Sequence, residues 1–180
     1  GELIAIASRN PENAVGFCKQ HPVKYLHNSY EQLARNEEVD IIYVATPHAI
    51  HYENTMLCLQ NHKPVLCEKA FAINSRQAKE MIELAKKNKV FLMEALWTKF
   101  LPHYTMTMQM IANGELGEIK SVLANFGFVP ASPVPDRIFN PALGGGTLLD
   151  IGIYNVFISC SAMGTPDELD ATITPAYTAV

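Results

Sequence analysis

Residues 1–97 predict a doubly wound parallel α/β sheet. Three observations carry that expectation. Short apolar segments alternate with helical ones in the order β-α-β-α-β-α-β-α-β, the pattern of parallel strands joined by helical crossovers. Two central segments, "DIIYVAT" over 40–46 and "PVLCEK" over 64–69, are apolar at consecutive positions, as strands buried on both faces are. Polar residues gather where these segments end: Ser8-Arg9, Thr46-Pro47-His48, Glu68-Lys69, and Glu94 to Trp97. Open parallel sheets bind ligands at the carboxyl ends of their strands.

Each element has a local cause. "ELIAIAS", 2–8, reads as a buried strand. Asn10-Pro11-Glu12 opens a helix to about Gln20, with Asn as cap, Pro at the first helical position and an acid in the first turn. "VKYLH" is a short strand, and Ser29 to Gln32 has the spacing of a capping box that opens a helix to about Glu38. A helix covers roughly 50–62. Asn74 caps another, whose Ala78, Met81, Ile82 and Ala85 follow i, i+3, i+4, i+7. Its basic end, "KKNK", suits the negative helix pole. "VFLMEAL" is the last strand of this part. Beyond residue 100 the character changes. A helix carries Met106, Met108 and Met110 and ends near Asn113-Gly114. "EIKSVLANFGF", 118–128, alternates like a strand with one exposed face. A Pro-rich loop follows, Thr147 can cap a helix to about Met163, and "ATITPAYTAV" begins another strand. The expected domains are 1–99, a nucleotide-binding part, and 100–180, a partial substrate and oligomerisation part.

Composition narrows the function classes. A net charge of −4 with no basic run offers no attraction to nucleic acid or anionic lipid. The apolar run Thr147 to Met163 is broken by Asp150 and Asn155, which argues against a membrane span. The N-terminus lacks a signal-peptide pattern. Cys18, Cys58, Cys67 and Cys160 form no C-x-x-C pair and sit among apolar neighbours, so they read as buried thiols of a reducing, cytoplasmic compartment.

A dinucleotide fold needs a Gly-rich turn after its first strand, and the sequence has none. Its first strand ends instead in Ser8-Arg9, with no acid at 7–9. That is the chemistry of a second strand: an acid there would accept the ribose hydroxyls of NAD, whereas Arg accommodates the 2′-phosphate of NADP. The chain is therefore expected to begin after the first βα unit and to be a piece of a longer protein. NADP is expected before NAD, with Ser8 and Arg9 as contacts; a solvated surface Arg9 is the plainer alternative.

Three ordered motifs carry a resemblance. "ATPHAIHYENTMLCLQNHKPVLCEKAFA", then "MEALWTKFLP", then "GGGTLLDIGIYNV" resemble the Gfo/Idh/MocA oxidoreductases. Within that family the likeness is to dimeric dihydrodiol dehydrogenases and NADP-dependent xylose or aldose dehydrogenases. The resemblance implies a Rossmann domain followed by an α/β domain with a large open, mainly antiparallel sheet, here truncated. It also implies a homo-oligomer, dimer or tetramer.

The resemblance implies cofactor contact by Thr46, Pro47, His48 and His51; the plainer alternative is a helix-start loop with surface histidines. Metal is not expected, since no Cys or carboxylate stands at ligand spacing to this pair. Glu68-Lys69 matches the family's E-K-P, with Ala70 in place of Pro. It implies Lys69 at nicotinamide and substrate, where an ammonium stabilises an oxyanion, and Glu68 on the cofactor side; an ordinary strand-end ion pair is the alternative. Asp150 and Tyr154, four apart, fall on one face of a helix. Tyr, with a reference pKa of about 10, becomes a usable acid/base beside a Lys ammonium. Asp150 can instead belong to a capping box with Thr147, and Tyr154 can be a core aromatic. Glu94 and Trp97 stand at a strand end; Trp97 either walls the nicotinamide pocket or plugs a domain interface. Lys99 replaces the family's Arg and cannot form its bidentate fork. Arg137 is a candidate substrate contact. Together these residues point to an NADP-dependent oxidoreductase moving hydride between nicotinamide and a sugar or vicinal-diol carbon, with Lys69, Asp150 and Tyr154 catalytic. A non-catalytic nucleotide- or sugar-sensing regulator on the same fold is the alternative.

Overall fold

The computed structural model describes residues 1–174. The chain divides into two compact units, Gly1–Thr46 with Ile50–Glu94, and Pro47–Ala49 with Ala95–Val180.

The first unit alternates β1 (Ala5–Ala7), α1 (Pro11–Gln20), β2 (Tyr25–His27), α2 (Tyr30–Arg35), β3 (Ile42–Val44), α3 (His51–Gln60), β4 (Val65–Cys67), α4 (Ser75–Asn88) and β5 (Leu92–Glu94). Every pairing is parallel. β1 lies on β2 with Ala5 opposite Tyr25. β4 lies between β3 and β5, with Val65 opposite both Ile42 and Leu92. The order 3-2-1-4-5-6 of a doubly wound sheet contains the runs 3-2 and 4-5-6, and the two ladders reproduce those runs.

The helix starts follow the side chains. Asn10 accepts from the N–H groups of Glu12 and Asn13, Ser29 from Gln32, and Asn74 from Gln77, each satisfying donors that a first turn leaves unpaired. α2 stops at Arg35, short of the expected Glu38. Two tertiary contacts explain this. Lys63 Nζ donates to the carbonyls of Asn36 and Val39 at 2.7 and 2.8 Å, and the Glu38 carboxylate is taken by Lys24 and Tyr25. α4 ends with Lys89 in the left-handed region, φ 54°, after Lys86 and Lys87.

The core of this unit joins Ile42, Val44, Val65 and Cys67 to Leu59, Met81 and Ala85, the last three from α3 and α4, which pack together. The opposite face of β3 carries Ile41 and Tyr43, both about half exposed, so burial on both faces, expected from the apolar run, holds for one face among the described residues. On α4, Met81 and Ala85 are buried while Ile82 looks outward. Only Cys58 and Cys67 are buried thiols; Cys18 is half-buried and Cys160 exposed, which corrects the expectation of uniform burial, and all four are free.

The second unit contains a 3-10 turn at Trp97–Phe100, α5 (Pro102–Ala112), α6 (Asp136–Phe139), a 3-10 turn at Pro141–Leu143, a π-helical turn at Leu148–Gly152 and α7 (Ile153–Met163). α5 meets α7 through Tyr104, which stacks on Phe157 at 5.3 Å and donates to Ser161 at 2.9 Å. α5 has no fully buried residue; Met106 is exposed, and Met108 and Met110 are half-buried. Residues 118–128 make no strand ladder, and the longest alternation in their burial covers only 121–125. A strand needs a partner for its backbone groups, and none is present among the described residues. The strand expected from 171 falls mostly outside the described residues, and 171–174 are not laddered. By length and composition the run Pro141–Met163 is apolar enough to cross a membrane, although it carries Asp150, a residue costly in hydrocarbon.

Replacing Leu59, which is fully buried, with Ala is expected to lower unfolding free energy by about 2–5 kcal/mol. Ile82→Ala, on the exposed side of α4, is expected to stay within about 0.5 kcal/mol. Urea denaturation of the two variants checks the assignment of the core face.

Candidate active site

In the first unit one side chain ties together the loops that follow β3 and β4. His51 opens α3 and is fully buried. Its Nε2 lies 2.6 Å from the carbonyl of Thr46, and its Nδ1 lies 2.8 Å from the carbonyl of Ala70. A carbonyl only accepts, so the ring nitrogen that carries the proton is the donor. The histidine expected to touch a cofactor is thus an internal tie between two ligand-side loops.

The loop carrying Lys69 is held at further points. Glu94, at the end of β5, accepts the N–H of Phe71 at 2.9 Å. The Cys67 thiol lies 3.8 Å from the Phe71 carbonyl. Glu68 accepts the N–H of Lys69 at 3.1 Å and also the Tyr43 hydroxyl. The Lys69–Ala70 peptide is cis, and Ala70 is buried.

These groups feel their surroundings. Burial pushes the Glu94 carboxyl above its ordinary value, the Phe71 N–H pulls it back, and the Glu68 charge adds to the rise. Tyr43 is pushed up to about 12, first by burial and then by the Glu68 carboxylate it bonds. Burial pushes Cys67 to about 11 and Cys58 to about 12, so neither is a thiolate nucleophile at neutral pH. At the end of β1, Ser8 Oγ accepts the N–H of Asn10 at 3.2 Å, and Arg9 is exposed. Thr46 Oγ1 accepts from Asn54 at 3.1 Å.

The second unit holds Pro47, His48, Trp97, Arg137, Asp150 and Tyr154. Buried His48 donates from Nδ1 to the carbonyl of Gly144 at 2.9 Å. Gly144 has φ +71°, and a Cβ there would stand 2.9 Å from His48 Cβ. At Gly145 a Cβ would lie 2.8 Å from Asn140 N and 2.9 Å from the carbonyl oxygens of Arg137 and Asn140. The glycine run that reads as loop in the sequence is therefore a close-packed corner. From it the N–H of Gly146 reaches the Ile138 carbonyl at 2.9 Å, and the N–H of Asp150 reaches the Gly146 carbonyl at 3.1 Å.

Asp150 is 8% exposed and faces Arg137 Nη1 at 3.4 Å. Arg137, expected as a substrate contact, stands beside the carboxylate. Thr147 makes no cap hydrogen bond and has helical dihedrals, φ −61° and ψ −36°, which corrects the capping-box alternative for Asp150. The intervening turn is π-helical. Asp150 lies within it, and Tyr154 follows in α7. Tyr154 is bracketed by two aromatic rings. Trp97 Nε1–H donates to its hydroxyl oxygen at 2.8 Å, with the rings edge-on and centroids 5.9 Å apart. Phe126 approaches at 5.6 Å. A cleft in this unit is lined by Phe128, Pro130, Ile138, Phe139, Asp150 and Ile151.

Sequence reasoning missed Tyr43, Phe126, Asn54 and the contacts of the glycine corner. Only the glycines had a signal, since three in a row after a Pro-rich loop mark close backbone approach. No cluster of three or more His, Cys, Asp or Glu side chains suited to a metal occurs among the described residues.

A family model described as an oxidoreductase family with an NAD-binding Rossmann fold matches residues 1–96, and one described as a GFO/IDH/MocA C-terminal domain matches 104–179. The chain belongs to the Gfo/Idh/MocA oxidoreductase family. It is 43% identical over 155 residues to trans-1,2-dihydrobenzene-1,2-diol dehydrogenase of Xenopus laevis, covering 86% of this chain and 46% of that protein. It is 42% identical over 165 residues to D-xylose 1-dehydrogenase (NADP(+)) of Hypocrea jecorina, covering 85% and 42%. The crystal structure of KijD10, a 3-ketoreductase from Actinomadura kijaniata in complex with NADP and TDP-benzene, superposes with a TM-score of 0.82 at 31% identity, covering 91% of this chain and 50% of that one. The chain spans about half the length of the curated relatives it matches.

Gly145→Ala is expected to cost about 2–4 kcal/mol, because its Cβ meets backbone on three sides; chemical denaturation reads the loss. Glu94 gives a pH signature. Its folded pKa is raised, so the unfolded chain loses this proton first, and stability falls as pH rises from about 4.5 to the folded value. Glu94→Gln keeps an acceptor for Phe71 and removes that fall. Urea unfolding is expected to show the variant gaining on the native protein as pH rises above 4.5.

Proposed function

We propose that the protein is an NADP-dependent oxidoreductase that moves hydride between nicotinamide and a CH–OH or carbonyl carbon of a sugar or vicinal diol. The observation that carries this is Tyr154, whose phenol oxygen is held by the Trp97 N–H on the stretch that follows the buried Asp150. The names of the relatives support it, since they act on diols and a pentose and one uses NADP.

The residues at the end of β1 fit NADP. Arg9 is exposed there and no carboxylate stands at 7–9, so a 2′-phosphate meets a guanidinium rather than a repelling acid. Ser8, Arg9, Thr46, Pro47, His48, Glu68 and Glu94 would line the cofactor side, with His51 acting through the loops it ties. When bound, NADP supplies or takes up the hydride. Tyr154 delivers its proton to the carbonyl oxygen in reduction and takes it back in oxidation. Lys69, on its pinned loop, donates to that oxygen and steadies its developing charge. Asp150, beside Arg137, orients this set. We infer further that the nucleotide-binding part runs to about residue 99. The free core thiols Cys58 and Cys67 support a reducing, cytoplasmic compartment, and we extend the oligomer expected from the family to this protein.

Turnover of NADP(H) by the full-length protein with a panel of aldoses and vicinal diols tests the reading. Tyr154→Phe and Lys69→Met are each expected to lower kcat by about 10²–10⁴. Undiminished turnover by Tyr154→Phe sinks the acid/base assignment. Arg9→Ala is expected to weaken NADP binding about 10- to 100-fold while leaving NAD binding nearly unchanged, a comparison that calorimetry makes directly.

A further inference from the structure

We infer that Trp97 is a positioning residue for Tyr154, and that its indole N–H sets the direction in which the phenol proton leaves. The inference rests on the reading of Tyr154 as the proton donor and deepens it.

The geometry is specific. An indole nitrogen only donates, so at 2.8 Å the Tyr154 oxygen is the acceptor. A phenol O–H prefers the ring plane, which offers its proton two positions. A donor lying against the oxygen excludes the proton from its own side and leaves the O–H to donate on the other. As the proton departs, negative charge grows on the oxygen, and the N–H already points at it. A preorganised donor aimed at developing charge acts on the transition state more than on the ground state.

Trp97 is also placed in a way that core packing does not explain. Its ring is 57% exposed, while Leu96 and Thr98 on either side are buried at 7% and 8%. Its own N–H reaches the Ala95 carbonyl at 3.0 Å, and the 3-10 turn that follows closes with Lys99 N–H to Leu96 at 3.2 Å. The turn is anchored through its neighbours, and the indole is held out from it. Edge-on contact with Tyr154 and the tilted Phe126 on the same phenol fix the ring plane in which the proton must lie. The N–H then selects one of the two positions in that plane.

The test uses the full-length protein with NADPH and a carbonyl substrate it reduces. Trp97→Phe keeps an aromatic ring and removes the indole N–H together with the rest of the five-membered ring. The single-turnover rate of NADPH oxidation is expected to fall about tenfold, with KM within about threefold, and the solvent deuterium isotope effect on that rate is expected to rise. An unchanged rate and isotope effect overturn the inference, as does a change confined to KM, which would mark Trp97 as a substrate wall only. A measurement without any Trp97 variant covers the case in which that variant does not fold. In ¹H–¹⁵N spectra an indole N–H resonance is expected to move upfield on Tyr154→Phe, and no movement overturns the inference. The two readings fail separately. Full turnover by Tyr154→Phe removes the acid/base role itself. An inactive Tyr154→Phe beside a fully active Trp97→Phe removes only the positioning role.

Discussion

The imidazole of His51 lies between two backbone carbonyls, those of Thr46 and Ala70, and the ligand-side geometry of the first unit depends on it. Each carbonyl ends a loop that leaves a parallel strand. Both loops leave the same carboxyl edge of the sheet, since β3 and β4 are parallel neighbours. A buried imidazole, with a ring nitrogen on each of two edges, is one of few groups that can span them. With Glu94 holding the N–H of Phe71, the peptide after Lys69 is fixed from two neighbouring elements.

The second unit solves a similar problem with backbone instead of side chains. Gly144 and Gly145 approach His48 and Asn140 so closely that a methyl group has no room. Their compactness brings the π-helical turn to its start, and Asp150 follows as a buried carboxylate opposite Arg137. An aspartate so placed is held by geometry that small residues permit. The π-helical turn then re-aims the chain before α7, which is how Tyr154 comes to lie between Trp97 and Phe126. Such turns are often found at functional sites because they alter direction without ending a helix.

Surface charge contributes little to this arrangement. Arg76 with Glu80 and Lys120 with Glu118 are exposed pairs, of a kind that solvent and salt screen. The stabilising burial is that of Leu59, Met81, Val65 and Cys67 behind the strand ends, a rigid support from which polar loops project. Chemistry and stability are thus separated along each strand, with apolar residues inside it and reactive ones just beyond its last ladder bond.

The sequence by itself determined the alternation of strands and helices, the caps at Asn10, Ser29 and Asn74, and the strand-end positions of Arg9, Thr46, Lys69 and Glu94. These follow from periodicity, capping chemistry and turn residues, all local along the chain. It also set Asp150 and Tyr154 four residues apart. Only the tertiary structure decided that His51 lies between the carbonyls of Thr46 and Ala70, that Arg137 stands beside Asp150, and that Trp97 donates to Tyr154. Their longest spans are 19 positions for His51 and Ala70, 13 for Arg137 and Asp150, and 57 for Trp97 and Tyr154. No local pattern encodes such a distance. The helix cap expected at Thr147 failed for the same reason: the glycine corner packed against His48 and Asn140, and not the threonine hydroxyl, sets how that helix begins.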